Sequence, residues 1–244
     1  MPYVVERVSS GISGLDDKIG GGFVRGSSIL ITGKTGTGKT AFCSTFLYDG
    51  AKRAEPGLYF TTEEKEEDIR NDISAMFGWD ITVFEKKNMI KVVSVKPVFP
   101  ADTAKDDINR LIKAYVISIS QEISDAIKEI KAKRVVVDSV SLIEMFIKDK
   151  YLSRVAIMSL SEKLKDMGVT AIMTSTIPED SHALTSGGIV EFIVDAVVKL
   201  DFVPVAEEFK RTLTVRKMRR TNHSTLIHPF AITKDGIKLI DIEE

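Results

Sequence analysis

The stretch from residue 33 to residue 40 constrains this chain more than any other, because it fits the phosphate-binding pattern G-x-x-x-x-G-K-[ST]. Residues 28–32 before it are apolar and rich in β-branched side chains, which is typical of a buried strand. The residues from Ala41 onward predict a helix. A strand, a glycine loop and a helix in this order are the context that the pattern requires. The matching residues are Gly33, Lys34, Thr35, Gly36, Thr37, Gly38, Lys39 and Thr40.

The residue types in this loop suit a triphosphate group. The three glycines allow backbone conformations that other residues resist, so that several N–H groups can point at the phosphates. The helix that follows adds its positive N-terminal end. Lys39 supplies a cation for the β- and γ-phosphates, and Thr40 supplies a hydroxyl for Mg²⁺. We therefore predict that residues 33–41, ending at Ala41, bind a nucleotide.

The composition of the whole chain narrows the class of protein. At 43% hydrophobic residues the chain can build a core, and its net charge of −1 gives no overall attraction to nucleic acid or anionic membranes. Cys43 is the single cysteine, which fits a reducing cytosol. No apolar run approaches the ~18 residues of a membrane span, and the N-terminus is not a signal peptide. We expect one domain over residues 1–244, in the cytoplasm and away from membranes.

Two adjacent acids follow the second buried strand, which we predict over residues 58–62. Glu63 and Glu64 would then lie at a strand end beside the phosphate loop, where a carboxylate can orient and activate the attacking water. The alternative is structural, because Thr62 followed by acids is also a good helix start. The residues alone leave both interpretations open.

Residues 134–139 contain another apolar strand, which ends in Asp138. An apolar strand that ends in an acid is what a phosphate-loop enzyme uses to hold Mg²⁺, directly or through water. We therefore assign the metal to Thr40 and Asp138. We expect the glycine loop, Thr40 and Asp138 to lie at the ends of neighbouring parallel strands.

The rest of the chain indicates an α/β fold. Helices predicted over residues 41–53, 65–77, 106–132 and 152–165 alternate with strands, including 90–95 and 169–174, up to residue 175. This alternation favours a mostly parallel sheet flanked by helices. Strands predicted over residues 196–201, 212–216, 230–233 and 236–240 favour a C-terminal antiparallel extension, with a hairpin turn at Asp235 and Gly236. Residues 177–188 form a long loop without apolar periodicity.

A basic segment, residues 217–223, lies far along the chain from the loop. It contains Lys217, Arg219 and Arg220, followed by Asn222 and His223. The segment could be a solvated turn, as charge runs usually are. It could instead supply cations that reach a nucleotide, either through the fold or from a neighbouring subunit.

Together these residues resemble the KaiC-like branch of the RecA superfamily of ATPases, from about residue 7 to residue 240. The resemblance rests on Gly11-Ile12-Ser13-Gly14-Leu15-Asp16, Gly20-Gly21-Gly22, the loop at 33–40, Glu63-Glu64, Phe77-Gly78-Trp79-Asp80, Asp138-Ser139-Val140-Ser141, Glu191-Phe192-Ile193-Val194-Asp195 and Lys217-Met218-Arg219 with His223.

The resemblance implies a RecA-type phosphate-loop core that assembles into hexameric rings, with ATP bound between subunits. Lys39, Thr40 and Asp138 would be the loop lysine, the Mg²⁺ hydroxyl and the Mg²⁺ acid. The catalytic pair would be Glu63 and Glu64. The residues that reach the ATP of the next subunit would be Lys217, Arg219 and His223.

Two features depart from the family pattern. The clock protein for which the family is named has two such domains in tandem and phosphorylates itself, whereas one domain is expected here, and nothing in the sequence supports a clock or autokinase role. Thr176 also stands where many relatives carry an acid.

The first functional hypothesis is an Mg²⁺-dependent ATPase whose hydrolysis switches a homo-oligomeric ring. The alternative is a nucleic-acid-binding ATPase of the recombinase or helicase type, acting in DNA repair or recombination. Its DNA-facing loops would be residues 143–153 and 177–188, which mix cations with acids and show no basic and aromatic interleaving. A third hypothesis is a nucleotide sensor that recruits a protein without hydrolysis, which the intact Glu63, Glu64, Lys39 and Asp138 disfavour.

Overall fold

The computed structural model describes residues 4–96, 105–147, 149–179, 184–185, 188–205 and 207–240. The strands are β1 Arg7–Val8, β2 Phe23–Val24, β3 Ser28–Gly33, β4 Gly57–Thr61, β5 Ile90–Ser94, β6 Arg134–Asp138, β7 Thr170–Thr176, β8 Ala196–Val205, β9 Glu208–Met218, β10 Ile227–Thr233 and β11 Gly236–Leu239. The helices are α1 Leu15–Lys18, α2 Lys39–Lys52, α3 Glu66–Phe77, α4 Thr82–Glu85, α5 Lys105–Ile130, α6 Ser141–Phe146, α7 Lys150–Asp166 and α8 Val190–Ile193.

One large sheet organises the described residues, with the strand order β11-β10-β9-β8-β3-β7-β6-β4-β5. All pairings between β8 and β5 in this order are parallel, and β8–β9, β9–β10 and β10–β11 are antiparallel. The predicted mostly parallel α/β sheet with a C-terminal antiparallel extension is therefore confirmed.

The central strands are apolar throughout because helices cover both faces of the sheet. Successive side chains point to opposite faces, and the core accordingly divides in two. Ile29 and Ile31 pack with residues of α2 and α3, whereas Leu30 packs with residues of α5 and α7. Tyr59 likewise belongs to the α2 side, while its neighbour Phe60 belongs to the other.

The parallel direction of β3, β4, β6 and β7 gives the sheet two functionally different edges. We call the edge at which these strands end the carboxyl edge, and the edge at which they begin the amino edge. The glycine loop and Asp138 both lie at the carboxyl edge. However, β7 lies between β3 and β6, so the expectation that their strands are direct neighbours is wrong. One strand, β7, therefore separates the strand before the glycine loop from the strand that ends in Asp138.

The last hairpin differs slightly from its predicted form. Thr233 pairs with Gly236, so Lys234 and Asp235 form the turn and Gly236 begins β11. Glycine is needed there because its φ is +112° and an added Cβ would lie 2.9 Å from Thr45 of α2. Close packing of β11 on α2, which short-range turn patterns do not reveal, explains the shift.

The predicted loop over 177–188 falls partly outside the described residues, as do Lys148 and the chain termini. At its start, the amide of Ile177 donates to the carbonyl of Gly33 at 3.1 Å, which continues the β3–β7 pairing past the end of β7. Among the helices in the described ranges, none combines the length and apolar character needed to cross a bilayer.

Candidate nucleotide-binding site

The glycine loop connects β3 to α2 at the carboxyl edge. Gly36 and Gly38 have φ values of +76° and +105°, a region that side chains with a Cβ rarely adopt. An added Cβ on Gly33 would lie 2.5 Å from the carbonyl oxygen of Leu200, so only glycine fits between β3 and β8. α2 begins at Lys39, and its N-terminus therefore faces the loop. This arrangement presents backbone N–H groups to an anion.

Lys39 lies across the mouth of the loop. Its ammonium donates hydrogen bonds to the carbonyls of Gly33 at 2.9 Å and Lys34 at 3.0 Å. Burial lowers the pKa of Lys39 below its usual value, against the opposing charges of Asp138 and Glu63. The same two carboxylates therefore lie close enough to Lys39 to act on its charge.

The other residues of segment 33–41 shape the loop in different ways. The Thr37 hydroxyl donates to the carbonyl of Lys34 at 2.8 Å, which closes the turn. Lys34 itself forms an exposed ion pair with Glu179, with an N–O distance of 3.6 Å. Thr40 is half-buried in the first turn of α2. Ala41 points into the core at 1% exposure, so that only its backbone can face a ligand.

Asp138 ends β6, and each of its carboxylate oxygens accepts a hydrogen bond. The Tyr59 hydroxyl donates to Oδ2 at 2.5 Å, and the Thr174 hydroxyl donates to Oδ1. Burial, followed by the charge of Asp138, raises the pKa of Tyr59 well above its usual value. Tyr59 is therefore a hydrogen-bond donor at neutral pH.

Glu63 and Glu64 follow β4 at the same edge. Their backbone amides both approach the Thr61 hydroxyl, at 3.3 and 3.1 Å. The Ser139 hydroxyl donates to the Glu63 carboxylate. Burial raises the pKa of Glu64, and the charge of Asp138 adds to this effect. A carboxylate with a raised pKa is better matched to accept a proton near neutral pH.

Other residues fill the helix-start role that was the alternative for Glu63 and Glu64. α3 begins at Glu66, its N-cap is Lys65, and the side chain of Asp68 accepts from the Lys65 amide at 3.4 Å. The acids of its first turn are Glu66, Glu67 and Asp68. Glu63 and Glu64 precede this turn. The charge of Glu63 acts on Lys39, and the charge of Asp138 acts on Glu64.

Arg211 also lies at the loop, although sequence reasoning did not single it out. β8 and β9 extend past the end of β3, which brings the guanidinium of Arg211 to 3.5 Å from the carbonyl oxygen of Gly36. Its Cζ also lies 5.3 Å from the ring centroid of Phe202. The residues Gly36 and Arg211 are 175 positions apart in the chain, so only the pairing of β8 with β3 and β9 could reveal their proximity.

Lys217 and Arg219 lie at the opposite, amino edge. Ala196, at the start of β8, pairs with Ile29 of β3 on one side and with Met218 of β9 on the other. Lys217 and Arg219 are therefore level with the beginning of β3. At a rise of ~3.3 Å per residue, Arg219, which is level with Ser28, lies about 16 Å from Gly33 along the strand direction, and Lys217, which is level with Leu30, lies about 10 Å from it.

The two cations contact α8 and the short segment between α8 and β8. The Lys217 ammonium donates to the carbonyls of Glu191 at 3.0 Å and Val194 at 2.6 Å. Arg219 pairs with Asp195 at 3.4 Å, and its side chain stays 54% exposed. Burial lowers the pKa of Lys217, and the charge of Arg219 adds to this effect. Arg219 thus keeps much of its guanidinium available to an outside group.

Asp195 anchors this edge. Its carboxylate accepts from Lys165 of α7 at 2.7 Å and from the backbone amide of Ser28 at 3.0 Å. Burial acts to raise the pKa of Asp195, but the hydrogen bonds from Lys165 and Ser28 outweigh it and the net pKa is lowered. Asp195 is therefore ionised at neutral pH.

His223 lies beyond β9 in a segment without regular secondary structure. Its Nδ1 is 2.9 Å from the carbonyl oxygen of Ser224, whose amide donates to the carbonyl of Lys18 at 2.8 Å. The structure thus groups the loop, Glu63, Glu64 and Asp138 at one edge. It leaves Lys217 and Arg219 at the other, with His223 in the segment that follows them.

The residues at the carboxyl edge fit a nucleotide with a divalent cation. The loop backbone forms a cradle for an anion, because Gly33, Gly36 and Gly38 allow a path that a residue with a Cβ would not follow. Lys39 adds a cation. The Thr40 hydroxyl and the Asp138 carboxylate are the hard oxygen donors that Mg²⁺ prefers.

Comparison with solved structures places this fold in a class. A crystal structure of a KaiC-like protein from Pyrococcus horikoshii matches with a TM-score of 0.80 and 37% sequence identity, covering 98% of this chain and 100% of that one. The fold is thus a RecA-type core of the KaiC-like kind, as the sequence resemblance implied.

The family follows from two sequence comparisons. The family model described as KaiC ATPase matches residues 8–244. A UPF0273 protein of P. horikoshii is 36% identical over 241 residues, which cover 96% of this chain and 94% of that protein. The circadian clock oscillator protein KaiC of Prochlorococcus marinus is 36% identical over 236 residues, covering 96% of this chain but 45% of that protein. The chain belongs to the KaiC ATPase family.

Proposed function

We propose that this protein is an Mg²⁺-dependent ATPase that works in the cytoplasm as a homo-oligomeric, hexameric ring with ATP at the subunit interfaces. Membership of the KaiC ATPase family supports nucleotide chemistry. Segment 33–41 would hold the phosphates, and Thr40 and Asp138 would hold the metal. When bound, Mg²⁺ supplies positive charge to the β- and γ-phosphate oxygens.

Glu63 and Glu64 are the candidates for activating the attacking water. Both follow β4 at the carboxyl edge, and the charge of Glu63 acts on the loop lysine. Glu63 accepts a hydrogen bond from Ser139, which fixes its carboxylate. Glu64 has the raised pKa that suits a proton acceptor. Glu63 is our first choice for the base and Glu64 the second.

The observation that carries the oligomeric proposal is the separation of the charges. Charge that develops on the γ-phosphate during transfer needs cations, and an arginine supplied to it can be worth several powers of ten in rate. Along the strand direction, Arg219 lies about 16 Å and Lys217 about 10 Å from the loop of their own chain, toward the other edge of the sheet. A second copy could bring this edge to the loop, and the exposed half of Arg219 leaves it able to do so.

Native mass spectrometry tests the proposal together with a phosphate-release assay. With Mg-ATP we expect a hexamer and continuous turnover, and with EDTA a loss of turnover. A monomer that hydrolyses ATP at the full rate would contradict the shared site. Titration with single-stranded DNA at two salt concentrations tests the nucleic-acid alternative, because phosphate contacts give binding that weakens steeply with salt.

A further inference from the structure

The Tyr59 hydroxyl lies in a part of the core that is otherwise lined mainly by apolar side chains. The Tyr59 side chain is 1% exposed and lines a small apolar cavity with Leu47, Ile73 and Ile81. The next residue, Phe60, fills the opposite face of the sheet with a ring alone. A buried hydroxyl without a partner destabilises a fold, so a phenylalanine would pack here at lower cost. The hydroxyl needs another explanation.

That explanation lies at the tip of the ring. The Tyr59 hydroxyl donates to Oδ2 of Asp138 at 2.5 Å, which lies within the range of hydroxyl–carboxylate hydrogen bonds. β4, which carries Tyr59, is the direct neighbour of β6 in the sheet. The contact is therefore fixed by strand register and not by a flexible loop.

A second hydroxyl holds the same carboxylate from the other side. Thr174 belongs to β7, which flanks β6 on the side away from β4. Its hydroxyl donates to Oδ1 of Asp138. With one donor on each oxygen, the carboxylate cannot rotate freely, and each oxygen keeps a lone pair for a further partner.

We propose that Tyr59 is a positioning residue for the metal site, and that its hydroxyl orients Asp138 toward the nucleotide-bound Mg²⁺ or its water. This inference rests on the proposed function, in which Asp138 holds the metal. Residues that hydrogen-bond to a metal ligand fix its orientation, and their loss typically lowers metal affinity or activity about 10- to 100-fold. Loss of the Tyr59 hydroxyl should therefore weaken Mg²⁺ binding and leave the phosphate contacts of the loop unchanged.

The test measures how Mg²⁺ strengthens the binding of a fluorescent ADP analogue to the full chain. In Tyr59→Phe we expect wild-type affinity in EDTA, because the loop is intact. The Mg²⁺ concentration that gives half of the strengthening should rise about 10-fold or more. Tyr48→Phe is the matched control, because Tyr48 lies on α2 with its ring stacked on Trp79. It should leave the Mg²⁺ dependence unchanged.

Two further variants separate positioning from packing. Thr174→Val removes the other donor and should shift the Mg²⁺ dependence in the same direction, which also provides a test that does not depend on the folding of the Tyr59 variant. In an Asp138→Asn background, Tyr59→Phe should have no additional effect, since the carboxylate that it orients is gone.

An unchanged Mg²⁺ dependence in folded Tyr59→Phe would overturn the role of Tyr59, and so would an effect that persists fully in Asp138→Asn. A wild-type protein whose ADP binding does not respond to Mg²⁺ would instead overturn the proposed function, and the positioning role with it.

Discussion

The two edges of the sheet hold their charged groups in opposite ways. At the carboxyl edge, Lys39, Glu63 and Asp138 lie within electrostatic range of one another around a backbone cradle. At the amino edge, Arg219 and Lys165 both contact the single carboxylate of Asp195, and Lys217 donates to backbone carbonyls. The groups of the first edge surround the backbone cradle. At the second edge, the Arg219 side chain remains 54% exposed beside Asp195.

Under the proposed function, the two edges of neighbouring copies would divide the work of one site. The carboxyl edge has a phosphate cradle and candidate bases, whereas Arg219 lies about 16 Å from the loop along the strand direction and Lys217 about 10 Å. Arg211 is the exception, because it lies beside Gly36 of the same chain. Substitutions at the two edges test each edge separately, beginning with the largest expected loss of binding or turnover.

Lys39→Ala should nearly abolish ATP binding, because the desolvated triphosphate loses its central cation. We expect a loss of about 5 kcal/mol, or roughly 5,000-fold in Kd. Isothermal titration with Mg-ATP measures this. Lys52→Ala, at the far end of the same helix, is the control and should bind normally. Wild-type affinity in Lys39→Ala would place the nucleotide elsewhere.

Arg219→Ala should lower turnover far more than binding. The loss of an arginine that acts on the transferred phosphate costs about 10³-fold or more in kcat, while the Kd of ATP should change only a few fold. Steady-state phosphate release and nucleotide titration measure the two separately. Arg216→Ala removes an exposed arginine of β9, three residues before Arg219, and should remain active. Equal losses in both variants would argue for a general effect on β9.

Glu63→Gln should retain ATP and lose hydrolysis, since the amide keeps the shape but cannot accept a proton. The expected loss in kcat is about 100-fold or more. Glu64→Gln and the double variant distinguish the two candidates, and Glu67→Gln in the first turn of α3 is the control. Full activity in the double variant would remove both acids from the mechanism.

Asp195→Asn tests the amino edge and should have the smallest effect, a destabilisation of about 1 kcal/mol. The folded-state pKa of Asp195 is lowered, so its carboxylate stabilises the fold above the ordinary aspartate pKa. That contribution is lost as the pH falls through the folded-state pKa. Thermal melts should therefore show a gap between wild type and variant at pH 7 that closes in acid. The exposed Asp166→Asn should show no such gap.

Periodicity and the glycine pattern were sufficient to predict the sheet, because its central strands are apolar runs between amphipathic helices. They also indicated Asp138 and the two glutamates, since acids at strand ends stand out in sequence. The contacts of Tyr59, Thr174 and Arg211 could not be predicted in this way. Each contact depends on which strands become neighbours in the sheet. From sequence, a tyrosine inside an apolar run is predicted to be a core residue. The roles assigned to the site residues stay predictions.

Mixing two inactive variants tests the shared site most directly. Lys39→Ala lacks an intact loop and Arg219→Ala lacks the donated cation, but a mixed ring pairs an intact loop with an intact Arg219 at roughly a quarter of its interfaces. We predict that a 1:1 mixture recovers roughly that share of wild-type turnover, and that Arg219→Ala mixed with the Lys39→Ala/Arg219→Ala double variant recovers none. If mass spectrometry shows mixed rings whose turnover does not exceed the sum of the separate variants, the two edges do not form one site.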